Sequence, residues 1–242
     1  MNRSLGHKRR NPANEAPELV ADDRGTTPAR CAVAGRIALK EVVASARPVI
    51  VVAGAASNAG KTWVCERLLE TFASAGCPAR AVKVTRTHVE TCPRENDGCG
   101  VCEDLSTPWR IVQDFESLNQ PTKDTGRYLA AGAREVRWLI VNPDHVDAGV
   151  RSVLAGIEGG PIIVEGNSFL DHVSGVDVAV MAIGDRFRIK PSARHVLDRI
   201  DVFTGRPGTE SVVAELRRMS GLPGRPWVPA DDIGRWILDR LD

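Results

Sequence analysis

No apolar run in these 242 residues approaches the roughly 18 that a membrane-spanning helix needs, and the first thirty residues lack the apolar core of a secretory signal. A cytoplasmic protein with no membrane partner is the resulting expectation. An excess of either charge is missing too. Thirty-two Lys and Arg against 31 Asp and Glu leave a net charge of +1, so no field of the whole molecule gathers nucleic acid, and any affinity for anions must be local. Aromatic residues are only 5% of the chain. Trp109, Trp138, Trp227 and Trp236 are scattered among separate segments, as core residues are, and form no base-stacking platform. Without an export signal, the six cysteines read as thiols or metal ligands and not as a disulfide framework. No internal repeat is visible.

What the chain does have is 43% hydrophobic residues, enough for a sizeable core. Residues 1–30 mix Arg, Asn, Pro, Asp and Glu with few large apolar groups and predict a disordered tail. Residues 31–47 predict a lead-in helix, and 48–242 a single domain. Short β-branched runs at 49–53, 81–85, 136–141, 162–165, 176–183 and 200–203 alternate with helical stripes. The stripes are Val64, Cys65, Leu68, Leu69 and Phe72; Val146, Val150, Val153, Leu154 and Ile157; Val212, Val213, Leu216 and Met219; and Ile233, Trp236, Ile237 and Leu241. The pattern predicts a doubly wound, mostly parallel sheet in a three-layer α/β/α arrangement. One segment interrupts it. Residues 86–123 are Cys-, Pro- and Gly-containing and too long for a structureless connection, and they read as a Cys-rich insertion.

The first run leads directly into Gly54-Ala55-Ala56-Ser57-Asn58-Ala59-Gly60-Lys61-Thr62-Trp63. A buried strand, a loop of small residues and a helix start form the context of a P-loop, in which backbone N–H groups and a helix N-terminus receive phosphates. Lys61 would neutralise the phosphates, and Thr62 would offer its hydroxyl to magnesium. The usual spelling puts glycine where this chain has Ala55, with Gly54 one position earlier. Such a loop works as long as residue 55 takes no positive φ.

These residues resemble the loops of dethiobiotin synthetase and cobyrinic acid a,c-diamide synthase. Asn58-Ala59-Gly60-Lys61-Thr62 also resembles the loop of the molybdopterin-guanine dinucleotide biosynthesis adaptor family, called MobB. Lys123-Asp124-Thr125-Gly126-Arg127, Ala131-Gly132-Ala133, Val164-Glu165-Gly166 and Asp231-Asp232-Ile233 are similar to further segments of that family. Lys83 to His88 stands where the family carries a Lys- and His-rich stretch, of which this chain retains Lys83 and one histidine. The resemblance implies a P-loop NTPase that binds GTP or ATP with magnesium, a weak GTPase or ATPase in molybdenum-cofactor-like assembly, with a cofactor-assembly protein as partner. Two other readings stay open: an ATP-dependent carboxylate ligase, and a non-enzymatic, nucleotide-switched adaptor or metal chaperone. The Asn-Lys-x-Asp pattern for guanine is absent from the chain, so GTP and ATP are not distinguished. Composition leaves the oligomeric state open, and a homodimer is one of the options.

Magnesium on a triphosphate commonly takes a carboxylate at the end of a neighbouring strand. Glu165 closes the run 162–165 and is the first candidate for that metal. Asp124 opens a helix, either as an N-cap or as a contact to magnesium or the attacking group. Lys61, Asp124 and Glu165 are therefore the candidate catalytic residues. His88, Cys92, Cys99 and Cys102 place four soft or borderline donors within fifteen residues. They suit tetrahedral zinc or an iron–sulfur cluster, with a Cys99–Cys102 redox disulfide as the alternative. Cys65 and Cys77, on and just beyond a helical stripe, read as packing residues.

Overall fold

A computed structural model describes residues 47–88, 101, 105–186, 188–221 and 224–241. The expected tail, and the lead-in helix apart from residue 47, lie outside them. The strands are β1 (Val49–Gly54), β2 (Arg80–Arg86), β3 (Trp109–Val112), β4 (Glu135–Val141), β5 (Ile162–Glu165), β6 (Val178–Ile183), β7 (Val202–Gly205) and β8 (Trp227–Pro229). The helices are α1 (Lys61–Ser74), α2 (Phe115–Leu118), α3 (Asp124–Ala130), α4 (Val146–Ala155), α5 (Asn167–His172), α6 (Pro191–Arg194), α7 (Glu210–Ser220) and α8 (Ile233–Leu241).

The strands form one sheet in the order β3-β4-β2-β5-β1-β6-β7-β8. Every neighbouring pair is parallel except β3 and β4. β1 lies inside the sheet between β5 and β6, and its Ile50, Val51, Val52 and Ala53 are wholly buried. Successive side chains of a strand face opposite ways. Val51 and Ala53 join one core with Val150 and Val153 of α4, Phe169 of α5 and Val213 of α7. Ile50 and Val52 join the other core with the stripe of α1, Tyr128 of α3 and Ile233 and Ile237 of α8. A sheet buried on both faces between helices is the three-layer doubly wound architecture.

The stripe predicted for α1 is its buried face, residue for residue: Val64, Cys65, Leu68, Leu69 and Phe72. Val64, Leu68, Leu69 and Phe72 each contribute about 1.5–3 kcal/mol when fully buried, which holds α1 to the sheet. The helix stops at Ala75, whose N–H donates to Thr71 O, and Gly76, at φ 75°, donates its N–H to Ala73 O.

Two strands carry no sequence signal of their own. β3, antiparallel to β4, falls within the segment 86–123, and β8 pairs with β7 at the other sheet edge. The expected strand at 200–203 instead runs from Val202 to Gly205, since Ile200 still closes a 3-10 turn at Leu197–Arg199. Cys65 is free and buried, whereas Cys77, expected only to pack, is disulfide-bonded. No helix of the described residues is long and apolar enough to cross a membrane.

Candidate functional site

The carboxyl end of β1 turns into α1 through residues 55–60. Asn58 (φ 58°) and Gly60 (φ 88°) take positive φ, and Ala55 does not, so alanine is tolerated where the usual spelling has glycine. Glycine is needed one residue earlier for a different reason. The Lys61 side chain folds back over Gly54, where an added Cβ would stand 2.7 Å from Lys61 Cγ and 2.8 Å from Cδ. The backbone of Gly54 is held by the Asn167 carboxamide: Gly54 N–H donates to Oδ1, and Nδ2 donates to the Gly54 carbonyl, both at 3.0 Å. Ala55 is held from the other side, its N–H donating to Ala182 O at 3.0 Å and its carbonyl accepting from Lys190 N–H at 2.8 Å. Ser57 and Asn58 form the exposed tip, with Ala56 half-buried and Ala59 buried. Trp63 is half-buried, and the Arg206 guanidinium lies 5.6 Å from its ring centre.

Lys61 and Thr62 open α1 and meet the two acids expected from the sequence. Lys61 Nζ is 3.9 Å from Glu165 Oε1. Thr62 Oγ1 is 3.1 Å from Asp124 Oδ1 and 3.3 Å from Glu165 Oε2. A hydroxyl has one proton, so it donates to only one of these carboxylates at a time. One hydroxyl and two carboxylates converging as hard oxygen donors fit a magnesium ion, which takes one or two carboxylates and keeps several waters.

Each acid is set by its surroundings. Glu165, at the end of β5 and in register with Lys83 on β2, is 7% exposed and accepts a hydrogen bond from the Tyr128 hydroxyl. Burial pushes its carboxyl above the usual range, against the pull of Lys83 and Lys61, with the charge of Asp124 adding to the rise. For Asp124, burial also acts upward, but hydrogen bonding and charge from Lys83, with the Thr62 hydroxyl and Arg127, outweigh it and hold this carboxyl below its ordinary value. Asp124 is not the N-cap of α3; Lys123 occupies that position and makes no side-chain cap. The Asp124 carboxylate is free to face the loop and binds Lys83 and Thr62. Arg127, one turn on, forms a two-point ion pair with Glu66 of α1 at 2.6 and 2.7 Å and ties the two helices together.

Lys83, Tyr128, Asn167 and Lys190 complete the site. Lys83 was legible only through the family resemblance. Tyr128 is the chain's single tyrosine, and Asn167 follows Glu165 by two residues; neither fact alone assigns a role. Lys190 is half-buried, and burial followed by the charge of Lys61 lowers its ammonium below the ordinary lysine value. Of the expected soft-metal ligands, His88 lies exposed just beyond β2, while Cys92, Cys99 and Cys102 lie outside the described residues. Among the described residues no three His, Cys, Asp or Glu side chains group as a metal site. A surface groove of about 180 Å³ beside Leu170, Val176, Ala179 and Asp201 lies at the start of β6, at the other end of the strand from the loop.

No family model matches the chain, and no curated protein does. Among solved structures, the chain is similar to LpxK from Aquifex aeolicus, crystallised as an apo form in complex with ATP, at a TM-score of 0.41 and 16% identity. The match covers 76% of this chain and 53% of that one, so the chain spans about half the length of this neighbour.

Proposed function

We propose that the chain binds a nucleoside triphosphate with magnesium and slowly hydrolyses its terminal phosphoryl group. The carrying observation is the placement of Lys61 over Gly54 at the start of a 14-residue helix, with the Thr62 hydroxyl between Asp124 and Glu165. The partial positive charge of that helix N-terminus and the amides of the 55–62 turn favour the β- and γ-phosphate oxygens. Lys61 neutralises them. Thr62, Asp124 and Glu165 would hold magnesium, which, when bound, offsets charge on the terminal phosphates. In hydrolysis a water oxygen bonds to the γ-phosphorus, the bond to the bridging oxygen breaks, the nucleoside diphosphate leaves and the water proton passes to solvent. The chain's contribution is positioning and charge compensation, the main sources of rate in phosphoryl transfer.

On this reading the resemblance to the MobB family supports metallocofactor assembly as the biological setting, with GTP or ATP as the nucleotide. Calorimetric titration with ATP and with GTP, each with magnesium, is the direct test. Lys61→Ala is expected to weaken triphosphate binding by at least about a hundredfold while leaving circular dichroism and melting behaviour intact, because Lys61 lies at the anion site and not in either core. Silence toward both nucleotides, or a normal Lys61→Ala variant, would remove the proposal. Phosphate release that appears only when a carboxylate substrate is supplied would assign the site to a ligase instead.

A further inference from the structure

Lys190 is the cation that the phosphate loop and the two acids leave without a task. It ends the connection that follows β6, and its backbone N–H, donated to Ala55 O at 2.8 Å, fixes it against the root of the loop. The same connection also passes the loop's far side, where a Cβ on Gly184 would lie 3.5 Å from the Ala59 Cα. The Lys190 side chain is half-buried, yet among the described residues its ammonium has no hydrogen-bond acceptor and no carboxylate at ion-pair distance. The charges it feels are those of Lys61, Glu165 and Arg86. Lys61 has Glu165 at 3.9 Å, and Lys83 is bound to Asp124. Neither acid is left over for Lys190.

A partly desolvated ammonium that feels the charge of a second lysine is unfavourable until an anion compensates it. Among the described residues, the connection that carries Lys190 is tied to the loop through the Lys190 N–H to Ala55 O bond, so the Lys190 side chain is not what holds the loop together. We propose that Lys190 is a second cation for the terminal phosphoryl group of the bound triphosphate, acting with Lys61 and supplied by the same chain. This rests on the reading of the site as a triphosphate site. It extends that reading by assigning to Lys190 the discrimination of triphosphate from diphosphate and part of the compensation of charge on the group transferred.

The test is calorimetry on the full chain and its Lys190→Gln and Lys190→Arg variants, with magnesium and each of ATP, ADP, GTP and GDP. Lys190→Gln is expected to reduce the preference for triphosphate over diphosphate by about tenfold, the size of one charge-assisted contact, and Lys190→Arg to restore most of it. A Lys190→Gln variant that keeps the wild-type ratio, or that weakens both nucleotides equally, overturns the role of Lys190 while leaving the triphosphate site standing. A wild-type chain that binds none of the four removes the site and this role together.

Discussion

Glu165 is a buried carboxyl whose ionisation works against the fold. Burial keeps its carboxyl protonated to a higher pH in the folded chain than in the unfolded one. Its contribution to stability is therefore fully present below the unfolded carboxylate range and is lost as pH rises through the folded value, so at neutral pH the ionised group is a burden. Glu165→Gln should raise the melting temperature of the ligand-free protein at pH 7 by about 2 to 4 °C, the effect of ~1 kcal/mol in a domain of this size. The same variant should lose magnesium-dependent nucleotide affinity. A lower melting temperature would mean that the contacts to Thr62 and Tyr128 outweigh the cost of burial. Lys61, Thr62 and Glu165 were legible in the sequence because each stands at a fixed offset from a strand end. Tyr128, Asn167 and Lys190 were not, because they come together with the loop and Glu165 only through the sheet order and a returning connection, which no local pattern encodes.

At the level of elements, the carboxyl end of α4 depends on a neighbouring strand. α4 has no basic residue in its last turn and closes at Gly156. Arg137, buried on β4, donates to the carbonyls of Val153 and Gly156 and pairs with Glu135. Arg47 reaches the Ile157 carbonyl at 2.5 Å. A guanidinium facing the negative end of a helix satisfies orphan carbonyls and complements the helix dipole. Arg137→Ala should therefore cost ~2 kcal/mol, lowering the melting temperature by about 4 to 8 °C, as read by calorimetric or optical melting. The apolar stripes predicted α1, α4, α7 and α8, because a helix that packs on a sheet must repeat its apolar residues at helical spacing. β3 and β8 escaped for the opposite reason: each is three or four residues long at a sheet edge, too short to establish a period, and what makes each a strand is the neighbour it pairs with.

For the molecule as a whole, the site collects groups from both layers at the carboxyl ends of the central strands. Lys61 and Thr62 come from α1 and Asp124 from α3, on one face, while Asn167 comes from α5, which packs on the other. A ligand bound there ties together parts that unfolding separates. Magnesium with nucleotide at about a hundred times its dissociation constant should stabilise the fold by ~2.7 kcal/mol, and the shift should vanish in Lys61→Ala. An equal shift in that variant would locate binding elsewhere. The alternation of strands and helices made the three layers readable from the chain alone; which helix covers which face was not, since that follows from the order in which the strands assemble.

The grip of Asn167 on Gly54 has a mechanical consequence. A carboxamide offers the same donor and acceptor as a peptide unit, so this one side chain imitates a strand neighbour and splices the first turn of α5 onto the last residue of β1. The start of α5 and the end of β1 are thereby coupled through their backbones, so a tilt of α5 should be felt at the turn that leads from β1 into α1.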